Sequence, residues 1–149
     1  MALGIGIVIA IGVALFGRFV GLERERAFYT TVLVVVASYY ALFAAMGGTA
    51  RTIVLECSII AVFVGVAVLG FKGNRWFIVA GLAGHGVMDV FHGGLISNPG
   101  VPVWWPQFCM GYDITAAAYL AWMILAERRA AGGNVAGVTA GGGSRADGG

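Results

Sequence analysis

Charged residues are scarce in this 149-residue chain, and this scarcity excludes whole classes of protein. Asp, Glu, Lys and Arg together make up 11% of the residues, whereas hydrophobic residues make up 60%. A water-soluble globule of this length needs more polar surface to cover its core. The formal net charge is only +2, so no basic face is left to bind nucleic acid. The sequence therefore predicts an integral membrane protein whose main partner is the lipid bilayer.

Lysine and histidine are rarer still. The single lysine, Lys72, lies in a predicted loop, which excludes a Schiff-base retinal protein. The two histidines, His85 and His92, fall on one face of one predicted helix, so a single chain cannot ligate one haem iron from both sides. The chain also lacks the Gly-x-Ser-x-Gly, Gly-x-Gly-x-x-Gly and P-loop motifs that mark common hydrolases and nucleotide-binding proteins. These absences exclude the corresponding chemistries.

Long apolar runs fill most of the sequence. A hydrocarbon core of ~30 Å requires ~20 mostly apolar residues per helix. Five such runs are present, at residues 3–22, 27–46, 52–71, 76–96 and 108–126. Because backbone groups in lipid must be hydrogen-bonded within their own helix, the many glycines and β-branched residues do not indicate strands. We predict an all-α membrane protein, a bundle of five transmembrane helices that forms one domain over residues 1–127.

Lys and Arg are distributed unequally between the two sides of this predicted bundle. Cytoplasmic loops are enriched in both residues, and only Arg51 falls on one side. The other side receives seven: Arg18, Arg24, Arg26, Lys72, Arg75, Arg128 and Arg129. We therefore predict an extracytoplasmic N-terminus, a cytoplasmic C-terminus and a multi-pass protein of a bacterial inner or plasma membrane. Residues 128–149 are expected to form a flexible Gly-rich cytoplasmic tail.

One apolar run contains three ionisable residues that lipid disfavours. The stretch GHGVMDVFHGG, residues 84–94, places His85, Asp89 and His92 within about 60° of one another around a helix. Its apolar residues lie on other faces, so the polar stripe can face the bundle. Burial of an ionisable group in a membrane costs several kcal/mol, and such a residue is by default a functional candidate.

Carboxylates on two other predicted helices lie at a similar depth. Counting ~1.5 Å per residue from the helix ends places Glu56 and Asp113 in the same extracytoplasmic half as the stripe. We expect both side chains to approach the stripe closely enough for a hydrogen bond or a shared ion. The predicted polar site therefore has five members: His85, Asp89, His92, Glu56 and Asp113.

Three interpretations of this site stay open. In the first, His85, Asp89 and His92, completed by Glu56 or Asp113, bind a divalent metal, because imidazole and carboxylate are ligands that zinc, iron and manganese accept. The carboxylates Asp89, Glu56 and Asp113 are then the candidate catalytic groups, one of them as a general base. In the second, the same groups exchange protons with a substrate or along a path without metal. In the third, the His–carboxylate pairs only hold helices together.

Aromatic residues near the same side are candidates for substrate binding. Tyr39 and Tyr40 on the second helix reach the extracytoplasmic half and can donate hydrogen bonds to a substrate, although membrane tyrosines more often pack or anchor. Trp104 and Trp105 lie in the uncharged loop SNPGVPVWWPQ. This loop either forms an aromatic belt at the interface or covers the polar site as a lid.

Two cysteines lie next to carboxylates of the predicted site. Cys57 follows Glu56, and Cys109 precedes Asp113 by one helical turn. Either cysteine is a candidate metal ligand, and together they are candidates for a disulfide on the oxidising side. The interpretation that we favour is a small buried hydrophobic residue at each position.

Two stretches resemble known proteins. ERERAFYTTVLVVVASYYALFA at residues 23–44 and GHGVMDVFHGG at residues 84–94 are similar to a group of small bacterial integral-membrane proteins without assigned activity. The resemblance covers about the first four helices. It implies a membrane-embedded helical fold and gives no residue a catalytic role.

These features together predict a His and carboxylate site inside the membrane, near its extracytoplasmic side. The predicted function is a metal-dependent enzyme or a binding protein for a lipid-like or small apolar substrate. The alternatives are a small proton-coupled transporter or channel subunit, and a structural membrane protein with an interhelical polar network. The cytoplasmic halves of the helices contain few ionisable residues, which favours an enzyme or binding protein over a conduit. The oligomeric state stays open.

The predicted topology can be measured with reporters. Because the loop cations are concentrated on one side, a reporter fused after residue 149 should be active only if it functions in the cytoplasm. A Ser97→Cys variant should react from outside intact cells with a membrane-impermeant maleimide. Protection of this cysteine from external reagent, with reaction only after lysis, would reverse the orientation and the depths derived from it.

Overall fold

A computed structural model describes residues 1–142 of the chain, with side-chain environments through residue 133. Its α-helices are α1 Ala2–Val20, α2 Arg26–Gly47, α3 Ala50–Lys72, α4 Trp76–Leu95 and α5 Trp105–Gly142. A short 3-10 turn, Leu22–Arg24, joins α1 to α2. The all-helical fold expected from the sequence is confirmed over the described residues.

Local chemistry explains where several helices begin and end. Gly21 ends α1 with a left-handed φ of 87°, a conformation that glycine adopts without steric cost. Thr49 caps α3, since its side chain accepts a hydrogen bond from the Thr52 backbone N–H at 3.2 Å. The helix α5 begins at Trp105, before the predicted run at 108, because Pro106 is tolerated in a first turn that needs no N–H donor.

Four of the described helices are long and apolar enough to cross a membrane, namely α1, α2, α3 and the Trp105–Gly133 part of α5. The remaining helix, α4, has 20 residues and includes His85, Asp89 and His92, which lower its hydropathy. Its length is nevertheless that of a membrane span. The helix α4 therefore combines the length of a membrane span with polar groups that lower its mean hydropathy.

One end of the bundle, here called the basic end, is held together by polar contacts between different helices. The Arg26 side chain donates a hydrogen bond to the backbone carbonyl of Gly73 at 3.0 Å. Arg75 forms an ion pair with Glu127, and the Tyr119 hydroxyl donates to Glu23 near the same end. These contacts bring the end of α1, the start of α2, the end of α3, the start of α4 and the middle of α5 together. Seven cations share this region: Arg18, Arg24, Arg26, Lys72, Arg75, Arg128 and Arg129.

The opposite end, here called the loop end, contains the connection between α4 and α5. The Thr52 hydroxyl donates to the carbonyl of Ser97 at 3.4 Å, and a side chain added at Gly47 would contact the backbone of Gly100. Arg51 is the one Lys or Arg of the described residues at this end. All the long helices connect the two ends, so α4 extends across the bundle as the four apolar helices do.

The helices do not pack in chain order. The helix α5 packs between α1 and α4, while α4 also packs against α3 and α2. The main apolar core fills the half of the bundle nearer the basic end. Its buried members come from α2, α3, α4 and α5: Tyr29, Leu33, Val36, Ala67, Ile78, Leu82, Ala116, Ala117, Leu120, Met123 and Ile124.

The helix α5 continues beyond the predicted fifth run to Gly142. It thereby enters the segment predicted as a Gly-rich tail. Residues 143–149 of that segment lie outside the described residues. The flexibility and cytoplasmic location of the tail stay predictions.

Close packing of α1 on α5 depends on Gly6. A Cβ atom added to Gly6 would overlap the backbone carbonyl of Phe108, whereas one added to Gly4 meets no atom within 4 Å. We predict that Gly6→Ala destabilises the protein by about 1–3 kcal/mol, because the two backbones must separate. Gly4→Ala should have no such cost and should gain a few tenths of a kcal/mol from helix propensity. The measurement is thermal unfolding in detergent, and equal melting of the two variants would show that this contact is not essential.

Candidate functional site

The polar stripe of α4 faces the inside of the bundle, as the helical spacing predicts. His85, Asp89 and His92 are each at most 3% exposed. Apolar residues of the same helix form its outer surface: Phe77, Val87, Val90, Phe91 and Leu95. A helix that carries its polar groups on one stripe can bury them against neighbours while its other face meets lipid.

The central contact of the site joins α4 to α5. The Nδ1 atom of His85 lies 2.6 Å from Oδ2 of Asp113 and 3.7 Å from Oδ2 of Asp89. Gly86 allows this approach, since a Cβ at Gly86 would lie 3.2 Å from the Cβ of Asp113. Two carboxylates therefore flank one imidazole in a region where all three side chains are buried.

A tyrosine of α2 contacts one of these two carboxylates, that of Asp89. The Tyr40 hydroxyl donates a hydrogen bond to Oδ1 of Asp89 at 2.6 Å. The Tyr40 ring also stacks on the His92 ring, with centroids 3.9 Å apart and planes 24° apart. Tyr40 thus contacts both Asp89 and His92 of the stripe. Because Tyr40 is buried, it holds these two side chains in position.

A second polar group lies nearer the loop end. The Nε2 atom of His92 lies 2.8 Å from Oε1 of Glu56, and the Asn98 amide donates to the same oxygen at 2.9 Å. Asn98 also donates to the backbone carbonyl of Tyr40 at 3.1 Å. We call Glu56, His92 and Asn98 the outer group.

Cys109 lies near the part of the stripe that contains His85 and Asp89. One potential ligand atom from each of His85, Asp89, Cys109 and Asp113 lies within 4.8 Å of the corresponding atoms of the other three. All four residues are buried. We call these four residues the inner cluster, and their nitrogen, oxygen and sulfur atoms are of the kinds that bind transition metals.

The structure thus divides the predicted five-residue site into two. Glu56 and Asp113 both reach the α4 stripe, as expected, but they meet different histidines. His85 and His92 are seven positions apart, which is about 10.5 Å along a helix and too far for both rings to bind one ion at bond lengths of ~2 Å. Glu56 and His92 accordingly lie outside the group whose ligand atoms come together.

Two residues of the site differ from the sequence-based predictions: Cys109 has an additional role, and Asn98 was not predicted. Cys109 was expected to act as a small buried hydrophobic residue; it is buried, but it also belongs to the inner cluster. Cys57 is exposed, so the favoured prediction of a buried residue is wrong at this position. The two cysteines form no disulfide in the described part of the chain. Asn98 had no signal beyond its position before a proline, a pattern that predicts only a turn.

Several buried polar atoms of the site have unused hydrogen-bonding capacity. Among the described side chains, His85 Nε2, Asp89 Oδ2, Asp113 Oδ1 and Glu56 Oε2 are buried without a hydrogen-bond partner. A buried polar atom without a partner costs about 1–3 kcal/mol, so such atoms are rare unless a ligand, ion or water meets them. Three of the four belong to the inner cluster.

The predicted substrate-binding aromatics lie around the site at different depths. Tyr40 is part of it, as described above. Tyr39 lies on the bundle surface with its ring 4.9 Å from that of Trp105, and both residues line one cavity with Cys109. Trp104 is 54% exposed. The loop after α4 borders a separate cavity of about 450 Å³ that His92 also lines.

Comparison with known proteins leaves the site to be interpreted from its own chemistry. Neither a protein-family model nor a curated protein nor a solved structure matches the chain. The resemblance of residues 23–44 and 84–94 to small bacterial membrane proteins stays an expectation from sequence and assigns no role to any residue. Coordination chemistry, charge and burial therefore carry the functional interpretation.

The hydrogen bond from Tyr40 to Asp89 can be tested with a matched pair of variants. Tyr40→Phe removes one hydroxyl and keeps the stacked ring, so we expect a loss of about 1 kcal/mol in unfolding free energy. Tyr39→Phe, one residue earlier and on the surface, should melt like the wild type. Equal stability of the two variants would mean that Asp89 does not depend on the Tyr40 hydroxyl.

Proposed function

We propose that this chain is an integral membrane protein with five spans and an extracytoplasmic N-terminus. The arrangement of α4 supports the fifth span, because it connects the same two ends as the four apolar helices and packs between α3 and α5. The seven cations at the basic end support a cytoplasmic location for that end. The polar site then lies in the extracytoplasmic half of the membrane.

The inner cluster, in this proposal, binds one transition-metal ion. The observation that carries it is the meeting of four ligand atoms within 4.8 Å in a buried place where three polar atoms have no partner among the described residues. An ion would satisfy the Asp89 and Asp113 oxygens directly. It would also explain why a helix that crosses the apolar bundle retains two ionisable residues, one turn apart, at this depth.

Charge supports a divalent cation. Asp89 and Asp113, when both are ionised beside a neutral His85, carry a double negative charge in an apolar surrounding, which is costly without compensation. A divalent ion would cancel this charge while the Cys109 sulfur stays protonated or completes the coordination. Phe63 packs edge-on against the His85 ring, with centroids 5.0 Å apart, so water has little access from that side to screen the charge.

The ligand types favour zinc, then iron, over manganese. Imidazole and thiolate suit zinc and other softer ions, whereas manganese prefers oxygen ligands. Tetrahedral zinc, with bonds of ~2.0–2.3 Å, holds its ligand atoms roughly 3.5 Å apart. The most distant pair of the inner cluster would have to approach by about 1 Å, a change that side-chain rotation supplies.

The proposed activity is that of a metal-dependent enzyme or binding protein for a lipid-like or small apolar molecule. A bound zinc ion would act as a Lewis acid on an ester or amide carbonyl. The outer group supports an acid–base role for His92, because Glu56 orients one ring nitrogen. His92 also lines the cavity beneath the loop, which gives it a route for proton exchange with the extracytoplasmic side.

One observation favours a second candidate, acid–base chemistry without metal. Asp113 holds Nδ1 of His85 at 2.6 Å, and Nε2 of the same ring is buried without a partner among the described side chains. A carboxylate that orients an imidazole and leaves its second nitrogen free is the arrangement of a general base. His85 would then accept a substrate proton at Nε2, and Asp113 would hold the ring in position.

A conduit through the bundle receives less support. In the described part of the chain, the buried polar or charged residues are Thr52, Glu56, His85, Asp89, His92 and Asp113. All of them lie between the loop end and the middle of the bundle. The half nearer the basic end is filled by the apolar core, which offers a proton or ion no continuous polar path.

Metal content separates these functions. Purified wild type loaded with zinc and then passed through a desalting column should retain about one ion per chain. His85→Ala, Asp89→Asn and Cys109→Ser should each lose most of it. The matched variants His92→Ala and Cys57→Ser should retain it, because neither residue belongs to the inner cluster.

Elemental analysis by mass spectrometry provides the readout. Wild type without stoichiometric metal, even after loading, would overturn the metal proposal and favour the acid–base alternative. Equal loss of metal in His85→Ala and His92→Ala would mean that the two groups form one larger site. If all variants stay metal-free and only melt slightly earlier, the polar residues act as interhelical contacts.

A further inference from the structure

The first two helices diverge although they are consecutive in the chain. The helix α1 packs on α5, and α2 packs on α3 and α4, while the turn Leu22–Arg24 contacts both α1 and α2. A wedge therefore remains between α1 and α2, and α5 forms its floor. The outer edges of this wedge include Ile9 and Val35, which are 44% and 47% exposed.

Two adjoining cavities occupy the wedge. The first has a volume of about 380 Å³ and extends from Trp105 past Cys109 to Tyr112. The second, of about 440 Å³, continues from Tyr112 to the turn at Glu25. Val35, Val36 and Tyr112 line both, so they form one elongated space, here called the α1–α2 groove. Each volume lies in the range typical of small-molecule sites, ~300–1,000 Å³.

The lining of the groove is apolar along its length and polar at its two ends. Between the ends it presents mainly Val and Phe side chains with the ring of Tyr112. Glu25 and Thr31 lie toward the basic end. Toward the loop end lies Trp105, whose indole N–H is buried and has no partner among the described residues. The lining therefore suits a ligand with a hydrocarbon body, and an acceptor oxygen that reaches the Trp105 indole N–H would give this donor a partner.

Cys109 connects the groove to the inner cluster. The residue lines the first cavity and also contributes a ligand atom to the group with His85, Asp89 and Asp113. It lies one helical turn from Trp105 on α5. A carbonyl that accepts the indole hydrogen bond would thus lie beside the proposed metal site.

We propose that the α1–α2 groove binds a single-chain acyl ester or amide from the membrane. Its carbonyl end lies at Trp105 and Cys109, and its hydrocarbon chain extends past Val35 and Tyr112 toward Thr31. This assignment rests on the proposed function, since it names the substrate class of the inner cluster. The groove opens on a face that meets lipid, so its ligand enters sideways from the bilayer.

An acyl chain fits the groove better than a helix of another protein. The space is elongated and is continuous with a buried site at one end, and a helix of ~10 Å diameter has no access to Cys109 beneath the surface. The unpartnered Trp105 donor also requires one acceptor at a defined position, which an ester or amide carbonyl supplies.

Photo-crosslinking in lipid vesicles tests the proposal. The full chain would be reconstituted in phosphatidylcholine vesicles with palmitic acid methyl ester that carries a diazirine near the chain end. We expect saturable labelling in residues 28–36 and at Tyr112, displaced by the unlabelled ester. A hydrocarbon of equal length with the same diazirine should bind about tenfold more weakly, as expected for loss of a hydrogen bond to a buried donor.

Matched variants localise the binding. Val35→Trp fills the mouth of the groove and should reduce saturable labelling about tenfold. Val62→Trp places the same ring on the outer surface of α3, where Val62 is 64% exposed, and should leave labelling unchanged. Trp105→Phe should remove the preference for the ester over the hydrocarbon without loss of metal.

The outcomes distinguish this inference from the metal proposal. Labelling that is not saturable, or is equal in Val35→Trp and Val62→Trp, would show only bulk lipid and overturn the groove assignment even if the chain binds zinc. Groove labelling in a chain without metal would uphold the groove and overturn the metal site. Crosslinks between two copies through the groove residues, in place of ester labelling, would also overturn the assignment.

Discussion

The structure depends on the cost of burying ionisable side chains in an apolar bundle. No single helix can satisfy the stripe of α4, because its own backbone groups are already hydrogen-bonded. Each polar residue of the stripe instead meets a different helix: His85 meets Asp113 of α5, Asp89 meets Tyr40 of α2, and His92 meets Glu56 of α3. The helix α4, which contributes His85, Asp89 and His92 to the buried polar residues, is thus in contact with three other helices.

This requirement accounts for the packing order. Since α4 must contact α2, α3 and α5 at once, α1 is left to pack on the outside of α5. Close α1–α5 contact follows from Gly6 and Gly111, both of which face the backbone of the other helix. Consecutive elements usually lie side by side, and the separation of α1 from α2 is an exception that creates the groove between them.

Helical periodicity and depth are the parts of the site that could be predicted from sequence. The 3.6-residue period places His85, Asp89 and His92 on one face, and counting residues from the helix ends places Glu56 and Asp113 at a similar level. Neither rule identifies which carboxylate meets which histidine, because a shift of one turn, ~5.4 Å, exchanges the partners. The separation of seven residues between His85 and His92 was the available sign that they contact different carboxylates.

The remaining residues of the site depend on tertiary contacts that no local pattern encodes. Cys109 shares a face with Asp113, but only the packing of α5 on α4 brings its sulfur near His85. Asn98 reaches Glu56 because the loop after α4 folds back over the start of α3. Such buried polar contacts destabilise the bundle where an atom stays unpartnered, and a ligand that satisfies those atoms stabilises the folded state in proportion to its affinity. A ligand of the inner cluster would therefore stabilise the fold at this place. Five of the six buried side-chain atoms without a partner among the described residues lie between the loop end and the middle of the bundle, whereas the apolar half at the basic end includes one, the Tyr29 hydroxyl.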